Sequence, residues 1–296
     1  MINNQTENID LVSWEVESSR QRVNLALSER SIVLGIAGPC SFELKDIVTM
    51  DSEAAALKAL PVIQPGLAVI HRQPIWKPRS DPNAWSGLES TDPELAFEFI
   101  RALSNRYAIS SMEFGSQEQV GKYSSLLSFA WIGARSRGNT ELILKAATHD
   151  PDLPLGIKNG LDGDLDRTLN QIEMLRRERG QDAAEIALIY RGGENAMTPD
   201  EWERRYVEAF DATDGKVIVD SAHGSEMAHH HNGEYTKTSL GQIVCLKHTG
   251  DLTNGGIIPA GLMVEASSIV GVTDPNIPFK IGSVVLREMA KRAVNK

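Results

Sequence analysis

The amino-acid sequence predicts an α/β protein with the (β/α)8 TIM-barrel fold and a short N-terminal helical extension. Eight short runs rich in valine, isoleucine and leucine are typical of parallel strands that are buried on both faces. Longer amphipathic patterns separate these runs, as expected of a chain in which strands and helices alternate. An open doubly wound sheet is the competing architecture, but no G-x-G-x-x-G turn follows the first strand.

Each predicted element is short and bounded by polar residues. Strands are predicted at 31–38, 67–72, 109–115, 129–134, 153–159, 186–193, 216–223 and 258–266. Helices are predicted at 16–27, 92–105, 163–180, 198–210 and 281–296. Two of these helices open with Asp92 or Thr198 followed by proline, which is a normal helix start. Because no linker interrupts the pattern, we expect an N-terminal extension at 1–30 and a single catalytic barrel at 31–296.

The overall charge is negative. The 296 residues include 30 Lys and Arg against 40 Asp and Glu, a net charge of −10. This balance argues against nucleic acid or an anionic membrane as a partner, and no uncharged apolar run is long enough to form a membrane helix. The polar N-terminus does not resemble a signal peptide, and the 2 cysteines suit a reducing compartment, so we expect a cytoplasmic protein.

Six basic side chains stand at the ends of four predicted strands or in the loops that follow them, where TIM barrels place their active sites. They are Arg72, Lys77, Arg79, Arg135, Lys158 and Arg191. So many cations at one barrel mouth would repel each other unless an anion lay between them. Because guanidinium groups suit phosphate and carboxylate, the set predicts a multiply charged anionic ligand, most simply a phosphorylated carboxylic acid.

A second set of residues near the strand ends combines thiol, imidazole and carboxylate side chains. It comprises Cys40, His223, Glu265 and Asp274. Together these groups predict a mixed divalent-metal site, which would accept Mn, Co, Fe or Zn. A nucleophilic Cys–His pair is a second interpretation, but it explains neither the carboxylates nor the cations.

Seven motifs resemble the class I 3-deoxy-D-arabino-heptulosonate 7-phosphate (DAHP) synthases. They are GPCS at 38–41, KPRS at 77–80, IGAR at 132–135, GIKNGLDG at 156–163, YRGG at 190–193, DSAH at 220–223 and GLMVEAS at 261–267. The motifs are collinear and touch every predicted strand. GPCS is shared with the sister family that makes 3-deoxy-octulosonate 8-phosphate, whereas the KPR motif favours the heptulosonate side.

The resemblance implies a TIM-barrel enzyme that opens the shikimate pathway of aromatic amino acid biosynthesis, commonly as a homo-oligomer. It implies that phosphoenolpyruvate is bound by Arg72, Lys77, Arg135, Lys158 and Arg191. Erythrose 4-phosphate would place its phosphate near Arg79 and Ser80. One divalent metal ion would be held by Cys40, His223, Glu265 and Asp274, the last as part of a Thr-Asp pair.

The mechanism that the resemblance implies is an aldol-like condensation. The metal acts as a Lewis acid on the aldehyde oxygen while C3 of phosphoenolpyruvate attacks the aldehyde carbon. Water then adds at C2, and the intermediate loses phosphate by C–O cleavage. Lys77 would protonate the developing alkoxide, Glu113 would orient the water, and the arginines would offset charge on the departing phosphate. Cys40 and His223 enter the catalytic set as metal ligands.

Two segments depart from the family pattern. The segment DPNAWSGL at 81–88 is slightly longer than usual, and the connection at 176–190 lacks the hairpin that helps to form the inhibitor site. We therefore expect weak or absent feedback inhibition. One alternative is a related phosphoenolpyruvate-dependent synthase of secondary metabolism that uses another aldose or aminoaldose phosphate. A non-catalytic ligand-binding relative is the other alternative, and the complete set of metal and cation positions argues against it.

Overall fold

A computed structural model describes most of the chain. The described residues are 4–29, 32–39, 42–77, 86–160, 162, 164–192, 198–224, 245–246, 249–253, 255–268 and 279–294. Eight parallel strands form one closed barrel in chain order, so the predicted (β/α)8 architecture is confirmed and an open sheet is excluded. The strands are β1 Val33–Gly38, β2 Leu67–Arg72, β3 Ser110–Phe114, β4 Phe129–Ile132, β5 Leu155–Lys158, β6 Ile186–Tyr190, β7 Val217–Asp220 and β8 Gly261–Glu265. Each predicted run contains one strand. β2 has the predicted bounds, and the other seven strands are shorter than predicted because their runs include flanking residues that leave the ladder.

Helices connect the strands on the outside of the barrel. The longer ones are α1 Asn4–Glu29, α2 Ile47–Ile63, α4 Pro93–Tyr107, α5 Gln117–Tyr123, α6 Thr140–His149, α7 Leu165–Arg179 and α8 Pro199–Ala212. Short helices lie at Leu88–Thr91 (α3) and Ser221–Gly224, and a terminal helix spans Phe279–Val294. The Asp92 side chain accepts a hydrogen bond from the Leu95 amide, and Thr198 accepts one from Glu201, so both predicted helix starts are confirmed.

The inside of the barrel is filled by alternate residues of the strands. Ala68, Ile70 and Trp131 belong to one buried apolar cluster that also contains Ile189 and Met263. Side chains in a strand alternate between its two faces. The same alternation therefore sends the side chains two positions further along β2, β6 and β8 into the mouth of the barrel, and these positions carry charge.

Helix α1 closes the opposite end of the barrel. Its Val23, Ala26 and Leu27 are buried in the same cluster as the inner strand residues. Arg20 fixes the helix, since its Nε donates to the Leu127 carbonyl at 2.8 Å. The helix is longer than the predicted 16–27. Within the described part of the chain, no helix combines the length and the apolar character needed to cross a membrane.

Candidate active site

The first charged pair of the barrel mouth joins the ends of β2 and β8. Arg72 Nη1 lies 2.5 Å from Glu265 Oε1, and both side chains are almost fully buried. The Arg72 guanidinium also lies over the Trp131 ring, with its Cζ 5.8 Å from the ring centroid. A guanidinium held by a carboxylate on one side and an aromatic face on another is fixed in orientation before any ligand arrives.

A second buried pair joins β5 and β7. Lys158 Nζ lies 2.6 Å from Asp220 Oδ2, and the Asp220 side chain is completely inaccessible. Burying an ammonium ion is costly unless a carboxylate accompanies it, and Asp220 provides that carboxylate and holds Lys158 in place in the mouth. The sequence prediction gave Asp220 no role, although the DSAH motif contains it.

These pairs correct one step of the sequence argument. The six cations were expected to need a ligand anion as their compensating charge, yet protein carboxylates accompany two of them, Arg72 and Lys158. Each carboxylate is distant in sequence from its basic partner. The sequence argument considered only the cations at the strand ends and therefore did not include these carboxylates. Anion binding therefore depends on how the pairs rearrange or share their hydrogen bonds, as well as on net charge.

Arg191 and Asn159 tie the ends of β6 and β5 together. The Arg191 amide donates to Asn159 Oδ1 at 2.7 Å, and Asn159 Nδ2 donates to the Gly192 carbonyl at 2.6 Å. Gly192 has a φ of +82°, a conformation that favours glycine and allows this close return of the backbone. Arg191 is itself 4% exposed, so the predicted cation lies inside the mouth. Asn159 was missed as an organising residue, although it stands in the GIKNGLDG motif.

Glu113 lies near the aromatic floor of the mouth. Trp131 Nε1 donates to Glu113 Oε2 at 3.3 Å. A Cβ at Gly133 would stand 1.8 Å from Glu113 Oε1, so any larger residue there would displace the carboxylate from its present position. Trp131 also stacks on Phe129 with ring centroids 6.3 Å apart. It therefore contacts two predicted site residues, Arg72 and Glu113, as well as a residue of the apolar core.

Two further predicted cations occupy the rim. Lys77 is half-buried, and its amide donates to the Ser86 carbonyl at 2.7 Å across the loop between β2 and α3. Arg135, which follows β4, is exposed. Both long side chains can therefore reach a ligand from the solvent side, whereas Arg72, Lys158 and Arg191 would meet it from below.

Several predicted residues lie outside the described residues: Cys40, Arg79, Ser80, Asp274 and the side chain of His223. Among the groups that are described, no three His, Cys, Asp or Glu side chains come together as a metal site. The topology nevertheless suits the predicted ligands. Glu265 ends β8, and Gly38 is its register partner at the end of the neighbouring β1, two positions before Cys40. The other neighbour of β8 is β7, which is followed by His223.

A mixed thiolate, imidazole and carboxylate set on three adjacent strand ends is chemically suited to a divalent metal ion. The described donor, Glu265, is 1% exposed and already faces a cation. Glu265, the one predicted ligand whose side chain is described, is thus a buried carboxylate at a strand end, which is chemically compatible with the predicted metal ion.

The second cysteine, Cys245, is free and fully buried. Burial raises the pKa of its thiol, and the nearby Asp220 carboxylate raises it further. A thiol held protonated is a poor nucleophile. Cys245 belongs instead to the larger buried apolar cluster of the protein.

The fold and the mouth define a class: a TIM-barrel protein whose C-terminal face holds buried arginine, lysine and carboxylate side chains arranged for an anionic ligand. The model of the DAHP synthetase I family matches residues 21–271, and the chain belongs to this family. This match confirms the resemblance seen in the sequence motifs. The chain is therefore an enzyme of a metal-dependent family that acts on small molecules.

Solved structures show the same fold at low sequence identity. The phospho-2-dehydro-3-deoxyheptonate aldolase of Francisella tularensis SCHU S4 superposes with a TM-score of 0.76 at 20% identity, covering 96% of this chain and 93% of that one. The DAHP synthase of Thermotoga maritima gives a TM-score of 0.64 at 19% identity, covering 88% of this chain and 69% of that one. No curated protein matches the sequence.

Proposed function

We propose that this enzyme condenses phosphoenolpyruvate with erythrose 4-phosphate to give DAHP and inorganic phosphate. The observation that carries the proposal is the set of buried cations at the ends of β2, β5 and β6 in one barrel mouth, Arg72, Lys158 and Arg191. Membership of the DAHP synthetase I family supports the same reaction. A small, multiply charged anion with a carboxylate and a phosphate group on the same carbon suits cations placed on several sides of one cavity.

Phosphoenolpyruvate would occupy the floor of the mouth. Arg72, Lys158 and Arg191 bind it from below in this proposal, and Lys77 and Arg135 bind it from the rim. Erythrose 4-phosphate then enters above it, with its phosphate near Arg79 and Ser80. This order follows from burial, because the three floor cations are covered once a second substrate lies over them.

The chain's own residues would supply proton transfer and charge stabilisation. The C2–C3 π electrons of phosphoenolpyruvate form the new bond to the aldehyde carbon, and the aldehyde oxygen takes a proton from the Lys77 ammonium group. Glu113 orients the water that adds at C2. The bond between C2 and the phosphate oxygen then breaks, and the C2 hydroxyl group becomes the ketone of the product as its proton is lost. Arg72 and Arg191 offset the charge of the departing phosphate.

The proposed metal site combines Glu265 with Cys40, His223 and Asp274. A divalent ion bound there supplies Lewis-acid polarisation of the aldehyde. Mn, Co, Fe and Zn are all compatible with this ligand set.

The proposed protein is organised as an N-terminal extension at 1–30 and a catalytic barrel at 31–296. We also propose a cytoplasmic homo-oligomer. The 2 cysteines support a reducing compartment. Sedimentation velocity of the purified chain checks the oligomer, since a single monomer boundary at micromolar concentration would contradict it.

The deciding experiment identifies the product. Purified enzyme with Mn²⁺, phosphoenolpyruvate and erythrose 4-phosphate is expected to release phosphate and form DAHP in equal amounts. Parallel reactions contain arabinose 5-phosphate or an aminoaldose phosphate. Phosphate release with one of those and none with erythrose 4-phosphate would overturn the proposed acceptor, and no release with any aldehyde would favour a non-catalytic relative.

A further inference from the structure

A buried carboxylate outside the barrel is bonded to the chain just after β8. Glu53 of α2 is 3% exposed, and its Oε1 accepts a hydrogen bond from Ser267 Oγ at 2.8 Å. The same oxygen accepts a second bond from the Ser268 amide at 2.5 Å. These donors follow Glu265 by two and three positions. One carboxylate oxygen therefore fixes the first residues that leave β8.

The other oxygen of Glu53 faces a buried histidine. Glu53 Oε2 lies 3.9 Å from His71 Nε2, and His71 is completely buried. Among the described residues, neither His71 ring nitrogen nor Glu53 Oε2 has a hydrogen-bond partner. Burying polar atoms without hydrogen bonds costs free energy. This cluster is therefore unusual between a helix and the outer face of the barrel, where apolar side chains normally pack.

The cluster is connected to the mouth of the barrel through two backbones. His71 and Arg72 are consecutive on β2 and therefore point to opposite faces, His71 outward to Glu53 and Arg72 inward to Glu265. On the other side, the Ala266 amide donates to the Gly38 carbonyl at 3.1 Å, which extends the β8–β1 ladder past Glu265. Glu53 is thus bonded immediately beyond the last ladder contact.

We propose that Glu53 is a positioning residue that holds the Glu265 carboxylate in place for the divalent metal ion. By fixing Ser267 and Ser268 from outside, Glu53 sets where β8 ends and how Glu265 enters the mouth. The inference rests on the proposed metal site. Groups that orient a metal ligand without touching the metal commonly change metal affinity by about 10- to 100-fold when they are removed.

The test measures Mn²⁺ binding to the metal-free, full-length enzyme by isothermal titration calorimetry. Glu53→Leu is expected to raise the Kd about tenfold or more. Glu53→Gln keeps an oxygen that can accept both bonds, so its Kd is expected to stay within about threefold of wild type. Asp51→Asn is the matched control, since Asp51 is a partly exposed carboxylate on the same helix that pairs with Arg106. Its Kd is expected to equal that of wild type.

Ser267→Ala provides a test that tolerates a folding defect in Glu53→Leu. It removes the 2.8 Å hydroxyl bond to Glu53 and is expected to raise the Kd several-fold while circular dichroism stays unchanged. An unchanged Kd in Ser267→Ala, or an equal rise in Glu53→Gln and Glu53→Leu, would overturn the positioning role. Wild-type protein that binds no Mn²⁺ would overturn the metal site and this role together. Metal binding with a product other than DAHP would contradict the proposed reaction and leave the role of Glu53 supported.

Discussion

The two ends of the barrel use the same strands and the same inward-facing alternation for opposite purposes. At the N-terminal end, α1 seals the barrel with Val23, Ala26 and Leu27, which are 0–1% exposed and entirely apolar. At the C-terminal end, the next inward positions carry charges such as Arg72 and Lys158, also about 4% exposed. Burial is therefore equal at the two ends, and only the chemistry of the buried side chains differs.

This comparison separates stability from function. Apolar burial at the N-terminal end of the barrel stabilises the fold in proportion to the area removed from water. Buried ion pairs at the mouth contribute little net stability, because desolvation offsets most of their attraction. Their presence on several strand ends is therefore explained by ligand binding, and substitutions at the two ends should affect different observables.

The largest expected effect is at the rim of the mouth. Lys77→Ala removes the proposed proton donor, and we expect kcat to fall by about a thousandfold, within the usual range for loss of a general acid. Because Lys77 is half-buried, the thermal midpoint should change little. Phosphate release under saturating substrates measures the loss. Lys45→Ala is the control, since Lys45 is an exposed lysine paired with Glu43. Activity of Lys77→Ala within tenfold of wild type would remove Lys77 from the mechanism.

The second expected effect is on stability and not on activity. Leu27→Ala at the N-terminal end of the barrel should lower the free energy of unfolding by about 3 kcal/mol, as truncation of a fully buried leucine usually does. The folded fraction should keep its kcat and KM. Leu25→Ala on the same helix is the matched control, because Leu25 is 40% exposed. Urea unfolding compares the two variants. A loss of kcat in folded Leu27→Ala would show that the floor and the mouth are coupled, contrary to this division.

The architecture was predictable because it depends on local patterns. Each strand is a short apolar run, and the helix starts at Asp92 and Thr198 follow from nearest neighbours in sequence. The cations Arg72 and Lys158 were predictable for the same reason, since they end such runs.

The partners of these cations were not predictable from local patterns. Arg72 pairs with Glu265 at a separation of 193 residues, and Glu53 bonds to Ser267 at a separation of 214. A single sequence contains no signal for which distant carboxylate will approach which cation. Only the closure of the barrel, which brings β8 beside β1, determines these contacts. Glu265 was predicted from its place at a strand end, but as a metal ligand and not as the partner of Arg72, and nothing in the sequence pointed to Glu53.

The smallest expected effect concerns Trp131, which stands between the two ends. Trp131→Phe keeps an aromatic ring beneath Arg72 but removes the Nε1 donor to Glu113, a bond of 3.3 Å. Since one hydrogen bond is worth about 1 kcal/mol, kcat should fall about fivefold with little change in the KM for phosphoenolpyruvate.

Trp131→Leu also removes the ring, so the KM should rise several-fold in addition, in keeping with the ~0.5–2 kcal/mol of a cation–π contact. Trp202→Phe is the control, because Trp202 is equally buried but packs against Tyr190 outside the barrel. Steady-state kinetics with varied phosphoenolpyruvate separate the two parameters. If both Trp131 variants changed only the free energy of unfolding, Trp131 would have a packing role alone, as Leu27 does. The functional part of the mouth would then include Arg72 and Glu113 but not the ring beneath them.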